Sequence, residues 1–279
     1  MTIIKPCSPA QLRRLKPYLD LCVQNLETPD YIHNDPVSFV HAFEHKDDQE
    51  LAGFFAAIMA WGRRDIVLAK VLDLLERMDY RPADFIRKYD YRSQSVFDGF
   101  KHRTFKPVDV HWLTKCLQEI LHSYGSFEAF WKSCYQISQE TGRELMAVFH
   151  HRFFDLHPNI PHRTRKHISN PEKNSAAKRL YMYLRWMIRR NSSVDIGIMN
   201  FMPPSELVIP LDVHSARQAR VLGLLTRKTN DWKAAMELTE FARLLDPSDP
   251  AKYDYALFGI GVNKQRIPDE FVINPRFLK

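Results

Sequence analysis

Leu51-Ala52-Gly53-Phe54-Phe55-Ala56-Ala57-Ile58-Met59-Ala60-Trp61 carries no charge and is apolar nearly all round a helical period. A helix with no polar face must be enclosed by other elements. The run is too short to span a bilayer, which takes about 20 residues. It therefore predicts a buried central helix, and the rest of the chain has to supply its wrapping.

What is available for wrapping is helical. Only 9 of 279 residues are glycine, strand-like alternation is scarce, and Leu, Ala, Lys, Arg, Glu and Met are abundant. A first helix is predicted from Ser8 to about Gln24, with Ser8 as N-cap and Pro9 at the first helical position. Gly62-Arg63-Arg64-Asp65 makes an elbow after the central run, and a helix follows from Asp65 to about Met78. Further helices are predicted over 110–124, 126–138 and 174–190, then one capped by Asp212 and ended by Gly223, and a last one over 250–259. Phe100-Lys101-His102-Arg103-Thr104-Phe105 reads as a loop. The fold class is all-α.

Lys and Arg total 40 against 33 acids, a formal charge of +7. That balance suits a polyanionic partner, nucleic acid above all, and equally suits simple solubility. The 4 cysteines form no CxxC pair, which argues against an all-cysteine zinc or iron–sulfur site and against a disulfide framework. The segment 1–6 lacks the apolar core of a signal peptide, so a cytoplasmic protein that spans no membrane is expected. No cofactor and no metal is expected. His41 and His45 have a ligand spacing, but Ala42 stands where a zincin needs Glu. His150, His151 and His157 read as a surface cluster.

The densest charge lies between His162 and Arg190, where nine Lys or Arg face one acid, Glu172. Tyr181, Tyr183 and Trp186 interleave, and Lys178, Met182, Arg185 and Arg189 fall on one helical face. The block reads either as a solvated basic face or as a surface that tracks phosphates. Lys178 near a helix start opposes the positive end of the helix dipole, with Lys173 and Arg179 close by, which favours the free amine and hence a nucleophile. Asp212, as an N-cap, is a fixed carboxylate suited to steadying a sugar oxocarbenium ion or orienting a water.

The stretch Asp212-Val213-His214-Ser215-Ala216-Arg217-Gln218-Ala219-Arg220-Val221-Leu222-Gly223-Leu224 resembles the V-D-T-H-V-x-R-V-A-x-R-L-G-L signature of helix-hairpin-helix DNA glycosylases. Asp212, His214, Arg217, Ala219, Leu222, Gly223 and Leu224 match it. The stretches 51–70 and 253–259 are similar to the early helix pair and a late helix of that family, in the same order. The family hairpin L-P-G-V-G-x-K is represented only by Lys173-Asn174-Ser175-Ala176-Ala177-Lys178, without the glycines that let backbone amides approach a phosphate. The separation 212 − 178 = 34 is more like the archaeal 8-oxoguanine glycosylase branch than the endonuclease III branch, and no cysteine follows Cys134. The whole chain also resembles a bacterial conserved-hypothetical family of unassigned function. That resemblance rests on the stretches 47–57, 102–105, 177–187 and 210–214.

The glycosylase resemblance implies a two-lobed helix-hairpin-helix glycosylase-like fold. One lobe would be about 50–201, the other about 1–49 plus 202–279, with a basic cleft between. It implies a DNA-repair hydrolase acting on a damaged base in duplex DNA, with Lys178 and Asp212 catalytic. Nucleic acid would be held by Trp61, Gly62, Arg63, Arg64, His102, Arg103, Arg165, Lys166, His167, Arg179, Arg185, Arg189, His214 and Arg217. The alternative is a nucleic-acid-binding protein that uses the same cleft without catalysis.

Overall fold

The computed structural model describes residues 3–278; Met1, Thr2 and Lys279 lie outside it. Among the described residues there is no β-strand beyond the isolated bridges His102–Phe105 and Ser175–Asp231. The helices run in order α1 (Pro9–Leu26), α2 (Asp30–His33), α3 (Ser38–His41), α4 (Lys46–Met59), α5 (Arg64–Glu76), α6 (Pro82–Arg87) and α7 (Pro107–Tyr124). They continue with α8 (Phe127–Thr141), α9 (Leu145–Asp155), α10 (His162–Arg165), α11 (Lys178–Ile188), α12 (Val213–Val221), α13 (Trp232–Leu245) and α14 (Tyr253–Val262). No helix among the described residues is long and apolar enough to cross a membrane.

α4 is the predicted central helix. Every residue from Gln49 to Met59 is buried, enclosed by α3, α5, α6, α8 and α11. Gly53 lets α11 and α3 approach: a Cβ there would stand 2.5 Å from Met187 Cε and 2.9 Å from Val40 Cγ2. Phe54 then packs edge-on against Phe127, Phe149 and Tyr183. Fully burying each such side chain contributes about 1.5–3 kcal/mol. This packing fixes α11 against α4.

A second set of contacts joins α14 to both α1 and α12. α1 starts as its sequence predicts. The Ser8 hydroxyl accepts from Gln11 N–H at 3.3 Å, and the Gln11 side chain accepts from Ser8 N–H at 2.9 Å. α12 starts at the Asp212 cap and stops before Gly223, whose φ of +69° closes the helix. Cys7 N–H donates to Gly223 O at 2.8 Å, and a Cβ at Gly223 would lie 2.8 Å from that nitrogen, so the N-terminal segment seals this helix end.

Two helix starts differ from expectation. α11 begins at Lys178, not near residue 174, because Asn174 (φ 60°) and Ala177 (φ 48°) are left-handed and interrupt the helical path. The last helix is a 3-10 turn over Pro250–Lys252, with α14 proper starting at Tyr253.

Candidate functional site

The left-handed Ala177 makes Lys178 the first residue of α11, and the Asp212 cap makes that carboxylate the last residue before α12. Both side chains face one cavity of about 420 Å³. Lys178 Nζ lies 3.9 Å from Asp212 Oδ2, with the lysine side chain 45% exposed and the aspartate 14%. Asp212 divides its work by oxygen. Oδ1 accepts from His214 N–H at 2.7 Å and Ser215 N–H at 2.9 Å, while Oδ2 is turned to the lysine. The cap thus holds the carboxylate rigidly and leaves one oxygen for chemistry.

The cavity floor is charged and closed behind. Arg185 and Asp254 both line it, are both buried, and are hydrogen-bonded to each other. The second Asp254 oxygen accepts from Ser215 Oγ at 3.0 Å. Burial pushes the Asp254 carboxyl up to about 6, against the pull of Arg185. The Arg185 guanidinium also covers the Tyr255 ring at 4.1 Å, and Tyr255 OH donates to Asp195 at 2.7 Å. Asp35, from the segment before α3, is buried beside this pair. Burial pushes its carboxyl up as well, opposed by the Val37 N–H and by Arg64.

Of the residues singled out from sequence, Trp61, Gly62, Arg64, Lys178, Arg179, Arg185, Asp212 and His214 line this cavity together. Trp61 does so as a packed wall. Arg179 covers its ring at 4.7 Å, and His102 and His167 lie against it at 4.7 Å and 6.0 Å. Arg179 itself donates to Ile58 O, and burial lowers its guanidinium to about 10. Gly62 holds φ at +109°, a conformation that residues with a side chain rarely adopt, and a Cβ there would also push the Arg103 guanidinium aside, its Nη1 standing 2.6 Å away. Arg63 and Arg103 are exposed next to this elbow, and Arg63 pairs with Asp65 at 2.7 Å.

Several expectations are corrected. Arg185 and Arg189 are 3% and 2% exposed and hold carboxylates of the protein, so they form no phosphate-tracking face. His102 and His167 are buried behind Trp61, His167 with Asp109 at 3.4 Å, and neither can meet a nucleic acid in this arrangement. Arg217 is committed to the C-terminal turn, donating to Phe277 O at 2.8 Å. Arg165 lies over Phe154 at 5.2 Å; neither it nor the exposed Lys166 lines the cavity. His150 is buried and bonded to Ile168 O at 3.0 Å, so the three histidines are not a surface cluster.

Sequence reasoning missed Tyr31, Asp35, Asp254 and Phe258. Asp254 had a signal: it is a lone carboxylate in the otherwise apolar run 253–262. Among the described residues no group of three or more His, Cys, Asp or Glu is placed to hold a metal ion. All four cysteines are buried, and burial pushes the Cys134 thiol up to about 12, so it is a poor nucleophile at neutral pH.

Residues 35–263 match a family model described as "Protein of unknown function (DUF2400)". The matched span starts at Asp35 and includes Arg64, Lys178, Arg185, Asp212 and Asp254, the charged side chains that build the cavity. No curated protein and no solved structure matches the chain.

Proposed function

We propose that this chain, which belongs to the DUF2400 family of proteins of unknown function, binds duplex DNA and excises an altered base from it. In this reading the all-helical chain is a two-lobed helix-hairpin-helix glycosylase-like protein, and the cavity receives a nucleotide flipped out of the stack. The observation that carries it is the 3.9 Å approach of the Lys178 amine to the Asp212 carboxylate at an open cavity. The two groups are 34 positions apart in sequence (212 − 178), and only the fold joins them. A cavity of about 420 Å³ is within the range of small-ligand sites, roughly 300–1,000 Å³.

The chemistry follows from the pair. Asp212 Oδ2 takes a proton from Lys178, and the freed amine attacks the sugar C1′. As the new C–N bond forms, the glycosidic bond breaks and its electron pair leaves with the base, which takes the proton that Asp212 had received, so that the carboxylate is ionised again. Positive charge that develops on the sugar is steadied by Asp212. The exposed cations at the mouth, Arg63, Arg64 and Arg103, would meet phosphates.

The test is a panel of duplexes that each carry one altered base, read by mass spectrometry of the freed base. Release is expected from at least one duplex, falling at least about 100-fold in Asp212→Asn. Binding to every duplex with release from none would favour a non-catalytic nucleic-acid-binding protein. Absence of binding at low salt would end both readings.

A further inference from the structure

Each Lys and Arg that lines the cavity has a carboxylate to face, except one. Lys178 faces Asp212 at 3.9 Å. Arg185 is held by Asp254 and, at 3.4 Å, by Asp195. Arg64 stands 3.8 Å from Asp35, whose carboxylate is also held by Val37 N–H at 3.1 Å and by the Tyr31 side chain. Arg179 lines the same cavity and has no acidic partner among the described residues. Its partners are Ile58 O, which accepts one N–H, and the Trp61 ring at 4.7 Å. Burial therefore acts on it unopposed and lowers the guanidinium to about 10, whereas at Arg185 burial is outweighed by neighbouring negative charge.

What remains open on Arg179 is its rim. Stacking on Trp61 uses the flat face of the guanidinium and leaves the N–H groups in its plane. One of them goes to Ile58 O, in the last turn of α4. The negative end of that helix and the indole face neutralise part of the charge. The other nitrogens make no hydrogen bond among the described residues, and they are not shut away in the interior. A partly desolvated cation with open N–H groups suits an anion, because hydrogen bonds to a charged acceptor are about twice as strong as those to a neutral one.

We propose that Arg179 is an anion subsite of this cavity: its open N–H groups donate to the phosphate of the nucleotide that the cavity receives. This rests on the reading that the cavity holds a nucleotide, but it does not require that the base be cut out. The planar fork of an arginine matches two oxygens of one phosphate, which the single ammonium of a lysine cannot do. Two sources offer that chemistry, a phosphodiester of a DNA strand and the phosphate monoester of a free nucleotide.

The test uses the full chain with deoxyadenosine and deoxycytidine, each compared with its 5′- and 3′-monophosphate by calorimetric titration to millimolar concentration. At least one monophosphate is expected to bind at least about tenfold more tightly than its nucleoside. Arg179→Gln, which keeps an N–H for Ile58 O and loses the charge, should erase that advantage. Arg179→Lys keeps the charge without the fork and should reduce it at least about threefold, so it reads the same point if the Gln variant fails to fold. A duplex with an altered base separates the sources. Replacing a phosphate beside that base by a neutral methylphosphonate should weaken binding about tenfold in the parent and little in the Gln variant. Duplex affinity indifferent to the methylphosphonate, with monophosphates that still need Arg179, supports the subsite and assigns it to free nucleotides. Phosphate recognition that depends on Arg179, with no base released from any duplex, supports the subsite and removes excision. If neither the monophosphates nor the duplex shows a phosphate preference carried by Arg179, the subsite is overturned while the excision reading stands. No binding of any of these ligands overturns it together with the nucleotide reading.

Discussion

The two ends of α11 carry the same kind of charge and put it to opposite uses. Lys178 at the N-terminal end is 45% exposed and has one carboxylate at 3.9 Å, at an open cavity. Arg189, the residue that closes the C-terminal end, is 2% exposed and meets three acidic partners: Asp249 at 2.9 Å, Glu27 at 2.8 Å, and Asp195. Those partners come from the end of α1, from the turn after α11 and from the approach to α14. A cation bonded on all sides in a low-dielectric interior is a fastening, because moving it strands several charges at once. A cation at a cavity mouth, with one partner and water, is free to act. The basic run 162–190 is thus half structure and half site, and the buried half holds the floor on which the open half works.

The harshest way to break this comparison is Arg189→Ala. It leaves Glu27, Asp195 and Asp249 without their shared cation, and the expected loss is about 3–5 kcal/mol of unfolding free energy, read from urea denaturation. A loss under about 1 kcal/mol would mean that the network is no fastening and that the two ends of α11 do not differ in kind.

Glu50 sharpens the comparison from another side, as a buried charge with no closed network. Its side chain is fully buried, Oε2 accepts from Glu128 N–H at 3.1 Å, and Lys46 stands 3.9 Å from Oε1. Burial pushes its carboxyl up to about 7, against the pull of Lys46. In the unfolded chain it ionises near 4.5, so between pH 4.5 and 7 the unfolded state has released a proton that the folded state keeps. Stability contributed by this group therefore falls as pH rises through that window and levels off above it. Glu50→Gln should remove the penalty, stabilising the protein by about 2–3 kcal/mol at pH 8 and by almost nothing at pH 4. Equal effects at both pH values would show that the carboxyl is not held neutral.

Legibility in the sequence followed the range of the interactions. Ser8 with Pro9, Asp212 and Gly223 were readable because caps and stops are set by neighbours two to four residues away. The enclosure of α4 was readable because an apolar run has nowhere else to go. The start of α11 was not, since a left-handed Ala177 is a conformation imposed by the fold on a residue with no preference for it. Nor was the burial of Arg189, whose partners Glu27 and Asp249 lie 162 and 60 positions away. Asp35 escaped notice for a related reason: in sequence it is one polar residue in an irregular stretch, and only the packing of that stretch turns it into the cavity.

Asp212→Asn tests whether cap and chemistry can be separated within one side chain. The Asn oxygen can still accept from His214 and Ser215 N–H, so stability should change by about 1 kcal/mol or less. Base release, which uses the other oxygen, should collapse. A variant as active as the parent would reduce Asp212 to its cap, and the open end of α11 would lose its partner.

The smallest expected change in stability is that of Lys178→Gln, and it is the most telling. A half-exposed pair at 3.9 Å contributes little to folding, so the unfolding free energy should move by no more than about 0.5 kcal/mol. Affinity for duplex DNA should also be nearly kept, because one cation among several at the mouth is lost. What should vanish is the covalent intermediate. After the amine bonds to C1′ and the base departs, the sugar ring opens to an imine, and borohydride delivers hydride to that carbon to leave a stable secondary amine joining protein to DNA. The parent protein is expected to give this adduct with a duplex whose base it releases, mapped to Lys178 by peptide mass, and the Gln variant to give none. An adduct of equal yield in the variant would pass the nucleophile to another amine. No adduct from the parent, on a substrate it demonstrably cleaves, would instead leave water as the attacking group and Lys178 as a positive charge beside the sugar. Either result would separate exposure from reactivity at the open end of α11, just as Arg189 separates charge from exposure at the closed one.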